Sequence, residues 1–130
     1  MPKKKTKLRL KDLDKLCSLI VRTRDNWTCV LCHKKYLPPT TKIQCSHFWS
    51  RRHTSTRFDF TNCDACCAGC HLKIEANKQG AYRDFKIQQL GLEEYNKLDL
   101  RHQEIHKVNQ SYLQDLREEL QDKAKELGLL

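Results

Sequence analysis

The sequence predicts an α+β domain in which zinc staples a small ββα core between flanking helices. Three observations predict this class. Cysteines recur as C-x2-C pairs, the usual spacing of zinc ligands. Apolar residues recur at helical spacing before and after the cysteine-rich middle of the chain. Within that middle, short apolar segments around two prolines are typical of strands joined by turns.

The composition fits one small domain with a modest core. The chain has 130 residues, of which 32% are charged and 38% hydrophobic. Lysine and arginine total 25 against 16 aspartates and glutamates, a net charge of +9 that favours a polyanionic partner such as DNA. A basic protein without a specific partner has the same composition, so charge alone decides nothing.

The eight cysteines indicate metal rather than disulfides. No apolar run approaches the roughly 20 residues of a membrane span, and no apolar signal-peptide core follows the N-terminal lysines. We therefore expect an intracellular protein with no membrane partner. In such a compartment thiols stay reduced and are free to bind metal.

The elements follow in order along the chain. Residues 1–7 are expected to form a basic, disordered arm, either a solvated tail or an occasional phosphate contact. Residues 8–130 form the single domain, and its first helix spans about 8–25. Cys17 lies on the apolar face of that helix, where a core role is expected.

The ββα core is expected over about 27–78, with strands flanking Pro38-Pro39 and a helix from 67 to 77. Further helices are predicted over about 80–127, at 80–90, 92–100 and 102–127. Glycines stop the first and last of these. The long C-terminal helix carries an apolar stripe formed by Ile105, Val108, Tyr112, Leu116, Leu120 and Leu127.

Two C-x2-C pairs supply four thiolates to one structural zinc: Cys29, Cys32, Cys67 and Cys70. Cys63 and Cys66 form a third pair, so the register is open. The later pair is favoured because a helical segment follows it directly, as in a treble-clef knuckle. Such a site contributes about 10–16 kcal/mol of folding free energy and leaves no open coordination position for chemistry.

Histidine and asparagine residues are interleaved with these cysteines as His47-x14-Asn62-x4-Cys67-x2-Cys70-His71. This arrangement resembles the zinc-bearing form of the HNH (ββα-metal) endonuclease family. The resemblance implies that His47 lies on the first strand, Asn62 on the second and His71 on the helix. Taken singly, these residues are equally well explained as a strand histidine, a turn former and a bystander.

Phosphodiester hydrolysis requires an activated water and a cation that neutralises charge on the phosphate. We assign His47 as the general base, since neutral imidazole accepts a proton near physiological pH. His71 would bind a single catalytic Mg²⁺ or Mn²⁺, and Asn62 would position the loop that holds His47. Many HNH members carry a metal-binding Asp or His just before the base, where this chain has Ser46. Asp59 and His53 are candidates for the missing ligand.

Within the HNH group the chain is similar to the phage NinG family, also called Rap recombination endonucleases. The similarity covers roughly residues 10 to 120 and rests on His47-Phe48, Arg57-Phe58-Asp59, Asn62, Cys67 to Cys70, Asn77, Tyr82-Arg83 and Leu90-Gly91-x-Glu93. Family members often carry Asn where this chain has His71. The resemblance implies a phage-encoded nuclease in the host cytoplasm that selects branched recombination intermediates such as Holliday junctions or D-loops.

DNA contacts are then expected mostly at phosphates, which position the protein without reading sequence. The candidates are Arg51, Arg52, Arg57, Lys73, Lys78 and Arg83, each equally explicable as a solvated charge.

Other functions fit parts of the sequence. One is a nicking or homing-type HNH enzyme on ordinary duplex, and another is a zinc-dependent DNA-binding module with no activity. A third is a partner-binding protein that uses the C-terminal helix. That helix is expected to pack on the domain or to form a homodimer, whose two-fold symmetry would suit paired cuts.

Overall fold

The computed structural model describes residues 7–76 and 80–130. Their backbone forms six helices and one two-stranded antiparallel sheet, which confirms the predicted α+β class. The elements are α1 (Leu10–Arg24), β1 (Ile43–His47), α2 (Thr54–Arg57), β2 (Cys63–Cys67), α3 (Ala68–Ala76), α4 (Gly80–Leu90), α5 (Leu92–His102) and α6 (Gln110–Glu126).

Helix α1 packs on one side of the sheet, and α6 packs against α1. Their apolar residues recur at helical spacing, so each helix presents one continuous face to the other. The buried residues of this helical layer are Leu13, Cys17, Ile20, Val21, Leu113, Leu120 and Ala124. The C-terminal helix therefore packs on its own domain and uses its apolar face to do so.

The sheet lies at the centre of the described fold. All five residues of β2 are buried, while in β1 Ile43 and Ser46 are buried, Gln44 is exposed, and the other two residues are half-buried. In the register Cys45 pairs with Ala65 and His47 pairs with Cys63. This register brings the cysteine-rich second strand directly beside the histidine at the end of the first.

A buried ion pair attaches α4 to β2. Lys86 and Asp64 are both fully buried, and Lys86 Nζ lies 2.7 Å from an Asp64 carboxylate oxygen. Tyr82 donates its hydroxyl to the same carboxylate at 2.8 Å, and Gln89 donates to the other oxygen at 2.9 Å. A buried charge is tolerated only when paired and hydrogen-bonded in this way.

The last helix begins later than its periodicity predicted. It starts at Gln110 rather than near 102, because Asn109 adopts an extended backbone and its side chain accepts a hydrogen bond from the Tyr112 amide at 2.9 Å. Asparagine favours this N-cap position. Ile105 and Val108, predicted to lie on the apolar stripe, precede the helix and are 97% and 41% exposed.

Fewer residues around Pro38-Pro39 form strands than the sequence predicted. Only Ile43–His47 forms a strand there, with one isolated bridge between Thr28 and Lys35. The loop after β1 contains a short helix, α2, that the sequence did not indicate. Gly91, predicted as a helix stop, separates α4 from α5 with φ of +81°, a conformation that glycine adopts without strain.

Two predictions lie outside the described residues: all but the last residue of the basic arm, and Lys78. Among the helices of the described ranges, none is both long enough and apolar enough to traverse a bilayer.

Candidate functional site

Four cysteines converge at one point, as their spacing predicted. The sulfurs of Cys29, Cys32, Cys67 and Cys70 all lie within 4.8 Å of one another. The Cys32 and Cys67 sulfurs are 3.8 Å apart. Four sulfurs about 2.3 Å from one tetrahedral zinc would be about 3.8 Å apart, so the cluster has the dimensions of a zinc site.

Local backbone geometry builds this knuckle. The amide of His33 donates to the Cys29 carbonyl, and His33 adopts a φ of +65° that turns the chain back. The Val30 amide donates to the Ala65 carbonyl and ties the first pair to β2. Burial opposes ionisation of Cys29, but backbone N–H groups, led by that of Cys32, lower the pKa of its thiol to about 6. A thiol of this kind readily supplies the thiolate that zinc requires.

The structure resolves the register that the sequence left open. Cys70 lies in the first turn of α3, and its amide donates to the Cys67 sulfur at 3.5 Å. Cys63 and Cys66 lie on β2, fully buried and outside the four-cysteine cluster. The later pair therefore belongs to the knuckle.

His47 ends β1 and is half-buried. Its Nε2 atom lies 3.0 Å from the backbone carbonyl oxygen of Arg57. Because a carbonyl only accepts hydrogen bonds, the contact requires the proton on Nε2. In the neutral ring Nδ1 is then left as the atom that can accept a proton.

Asn62 holds the loop that follows β1. Its amide nitrogen donates to the carbonyls of Trp49 at 2.9 Å and Thr56 at 3.1 Å, and its side-chain oxygen accepts from the Trp49 amide at 2.8 Å. The side chain is fully buried. These contacts join both ends of the loop that carries Arg57 and thereby fix the carbonyl that meets His47.

His71 lies in α3, directly after the knuckle. Its Nδ1 atom is 3.0 Å from the side-chain oxygen of Gln44 on β1. His47 and His71 together line two adjoining clefts of about 630 and 380 Å³. The sequence reasoning did not select Gln44. It lies two positions before Ser46 on the strand, so strand alternation was the signal that could have indicated it.

The two candidates for a further catalytic-metal ligand are placed differently. His53 lines the smaller cleft with both histidines. Asp59 does not reach either cleft: one carboxylate oxygen accepts from Arg101 at 2.8 Å, and the other accepts from Thr61. Ser46 is buried and lines the smaller cleft, where it offers a hydroxyl and no carboxylate. We therefore withdraw Asp59 as a candidate and retain His53.

The basic residues predicted to contact phosphate are also placed differently, some at the clefts and one paired within the fold. Arg51 is exposed and lines the larger cleft, and Arg83 is exposed and lines the smaller one. Arg52 and Lys73 are exposed but line neither cleft. Arg57 instead donates twice to Asp14, at 3.0 and 2.6 Å. Its charge is neutralised within the fold, so we remove it from the set. Lys15, missed from the sequence, lies exposed beside Arg51 in the larger cleft.

An aromatic stack joins the loop that follows β1 to helix α5. Trp49 stacks on His102 of α5 with ring centroids 3.5 Å apart and planes 6° from parallel. His53 packs edge-on against both rings, and burial lowers its pKa, aided by the neighbouring His102 and Arg52. No local sequence pattern indicates the stack of Trp49 on His102, because these residues lie far apart in the chain.

Taken together, these features define a small α+β protein with a four-cysteine cluster that could bind zinc, beside a cleft lined by two histidines. The family model for NinG, described as Bacteriophage Lambda NinG protein, matches residues 2–129. The protein therefore belongs to the NinG family, and that prediction is confirmed. No curated protein and no solved structure gives a significant match.

Proposed function

We propose that this protein is a metal-dependent DNA endonuclease of the HNH type that cuts branched recombination intermediates, with His47 as the general base. The observation that carries the proposal is the contact between His47 Nε2 and the Arg57 carbonyl, in a cleft that His71 also lines. A histidine that is oriented by a backbone carbonyl, and that lies in one cleft with another histidine able to bind a metal ion, suits hydrolysis of a phosphodiester.

His47 takes the proton of the attacking water at Nδ1. The Arg57 carbonyl keeps accepting from Nε2 while the ring becomes positively charged, and its dipole stabilises that charge. Asn62 acts through the loop rather than on the substrate, because its three hydrogen bonds go to backbone groups of the loop. It is therefore a positioning residue.

His71 and Gln44 are the side chains that would hold a catalytic cation. The Gln44 oxygen accepts from His71 Nδ1 at 3.0 Å and orients the ring, so His71 would bind the ion through Nε2 with the Gln44 oxygen close by. A divalent ion bound there would supply charge neutralisation at the scissile phosphate. Because the pair includes nitrogen and no carboxylate, it suits Mn²⁺ better than Mg²⁺, which prefers oxygen ligands.

The substrate is proposed from charge and from the family. Exposed Lys15, Arg51 and Arg83 rim the two clefts, and the whole chain carries a net charge of +9. Such groups bind the phosphate backbone without reading bases. Selectivity for branches is supported only by membership of the NinG family, which is associated with phage recombination.

A second function, a zinc-dependent DNA-binding module without activity, is favoured by one observation. Ser46 occupies the position of a usual metal ligand and leaves the cleft without a carboxylate there. The two functions share the knuckle and the basic rim, so only a cleavage assay separates them.

The test is cleavage of a labelled four-way junction beside its linear duplex arm, with Mn²⁺ or Mg²⁺. We expect junction-selective cutting that falls by about 10²–10⁴-fold in His47→Ala, with DNA binding retained. His106→Ala, at an exposed histidine outside both clefts, serves as the matched control. Equal cutting of both substrates would overturn branch selectivity. Binding without cutting by zinc-loaded wild type would establish the binding module instead.

A further inference from the structure

A second group of metal-binding side chains lies on the other side of His47. The ligand atoms of Cys45, His47 and Cys63 all lie within 4.8 Å of one another. Cys17 is buried in the same apolar cluster as Cys63, and Cys45 packs against that cluster. Two thiols and one imidazole therefore meet at a single point, separate from the four-cysteine knuckle.

The strand register explains this convergence. Cys45 and His47 are two residues apart on β1, so their side chains lie on the same face of the sheet. Cys63 pairs directly with His47 across the sheet. On that face Cys17 of α1 packs with these residues. Each ligand residue had an ordinary interpretation in the sequence, because the three belong to two separate strands.

We propose that Cys45, Cys63 and His47 form a second binding site for a thiophilic ion of the zinc class, and that an ion bound there withholds His47 from catalysis. Two thiolates and an imidazole are a known zinc ligand set. The second part of the proposal rests on the proposed role of His47 as general base. The first part is independent of that role.

The ligand chemistry separates this site from the catalytic cation. Thiolates select zinc-class ions, whereas Mg²⁺ and Mn²⁺ prefer oxygen. Each thiol that binds the ion releases its proton to solvent, and the neutral imidazole binds through a ring nitrogen. Whichever ring nitrogen of His47 binds the ion, the residue loses either its proton-accepting nitrogen or its hydrogen bond to the Arg57 carbonyl. The effect of the ion on cleavage is therefore inhibitory.

The ion has a route to the site. Cys17, Cys45 and His47 all line the larger cleft, and Cys45 and His47 are half-buried rather than fully enclosed. Cys63 closes the site from beneath and is completely buried. Zinc can therefore enter from the cleft that the substrate is proposed to use, without the fold opening.

The primary experiment measures zinc bound per chain after equilibration with excess Zn²⁺ and gel filtration. We expect about two ions for wild type and about one for Cys45→Ala and for Cys45→Ser. Cys66→Ala is the matched control, because this buried thiol on β2 lies outside both groups, and it should keep two. One ion in wild type, or two in both Cys45 variants, would overturn the second site.

Replacement by Co²⁺ gives an independent readout. Thiolate-to-cobalt absorption should fall from six bound thiolates to four in Cys45→Ala if the second ion is lost, and should stay at the wild-type value in Cys66→Ala. Unchanged absorption in Cys45→Ala would contradict the assignment of the cysteines.

Inhibition tests the link to His47. In Mn²⁺-dependent cleavage, added zinc should inhibit wild type strongly and Cys45→Ala much less. Equal inhibition of both proteins would overturn the proposal that the ion withholds His47 from catalysis. The number of zinc ions bound per chain would still decide whether the second site exists. If neither protein cuts DNA, the proposed nuclease function fails, and the ion count still decides whether the second site exists.

Discussion

The helical layer and the zinc knuckle are held together by different forces. Between α1 and α6 the buried residues are mostly leucine, isoleucine, valine and alanine. Around the knuckle only five residues form the buried cluster, and three of them are cysteines: Cys29, Cys66 and Cys67. Apolar burial suffices for the first region, whereas the second has little apolar area, and we expect it to depend on a zinc ion held by its four cysteines.

The sheet contacts both regions and couples their stability. In β2, the Ala65 carbonyl accepts a hydrogen bond from the Val30 amide of the knuckle, and Asp64 forms the ion pair with Lys86 of α4. On the opposite side, Arg24 at the end of α1 donates to the carbonyls of Phe60 and Cys63, each at 2.7 Å. Loss of either region is therefore expected to reach the other through β2.

Removing the knuckle zinc should have the largest effect, on the order of 10 kcal/mol. Cys67→Ser, or a strong chelator, should abolish amide-exchange protection over about 27–76 while α1 and α6 keep part of theirs. Hydrogen exchange read by segment, with zinc content measured on the same sample, checks this. Cys66→Ala should keep both zinc and protection. A zinc-free Cys67→Ser protein with native protection would show that the knuckle does not need its metal.

The ion pair that joins α4 to β2 comes next. Lys86→Ala leaves the Asp64 carboxylate buried without its cation and should lower the free energy of unfolding by about 3–5 kcal/mol. Lys97→Ala removes a lysine whose partners, Glu93 and Glu94, are exposed, and should cost less than about 1 kcal/mol. Urea unfolding of both variants decides the matter, and equal losses would mean that burial does not distinguish these pairs.

Within the helical layer, Leu120→Ala should cost about 2–5 kcal/mol, because it leaves a cavity between α6 and α1. Zinc content should not change, since the knuckle lies in the other region. Leu100→Ala, at a leucine that is 66% exposed, is the control and should be nearly neutral. Loss of zinc from Leu120→Ala would contradict the division into two separately stabilised regions.

The smallest effect is expected at the start of α6. Asn109→Ala removes the side-chain acceptor for the Tyr112 amide and should cost about 1 kcal/mol. Asn96→Ala, at an exposed position inside α5, should be neutral or slightly stabilising because alanine favours helix interiors. Thermal unfolding followed by circular dichroism compares the two. A larger loss at Asn96 would argue against the cap as the element that sets this helix boundary.

Much of the site was accessible from the sequence because its signals are local. The C-x2-C spacing gave the four knuckle cysteines, and helical periodicity gave α1 and most of α6. Asn109 shows the limit of periodicity: the apolar pattern continued through Ile105 and Val108, but the cap decided where the helix begins. A capping side chain acts over one turn and outweighs a pattern that only averages over several.

The sequence by itself determined the α+β class, the knuckle cysteines and the residues available for chemistry, since spacing along the chain fixes which side chains share a helix turn or strand face. Only the tertiary structure decided how charges and thiols pair. Packing pairs Arg57 with Asp14 and Arg101 with Asp59, and it places Cys17 against the cluster that holds Cys45 and Cys63. Such partners come from elements far apart in sequence, and their meeting depends on how helices and sheet pack, which no local pattern encodes.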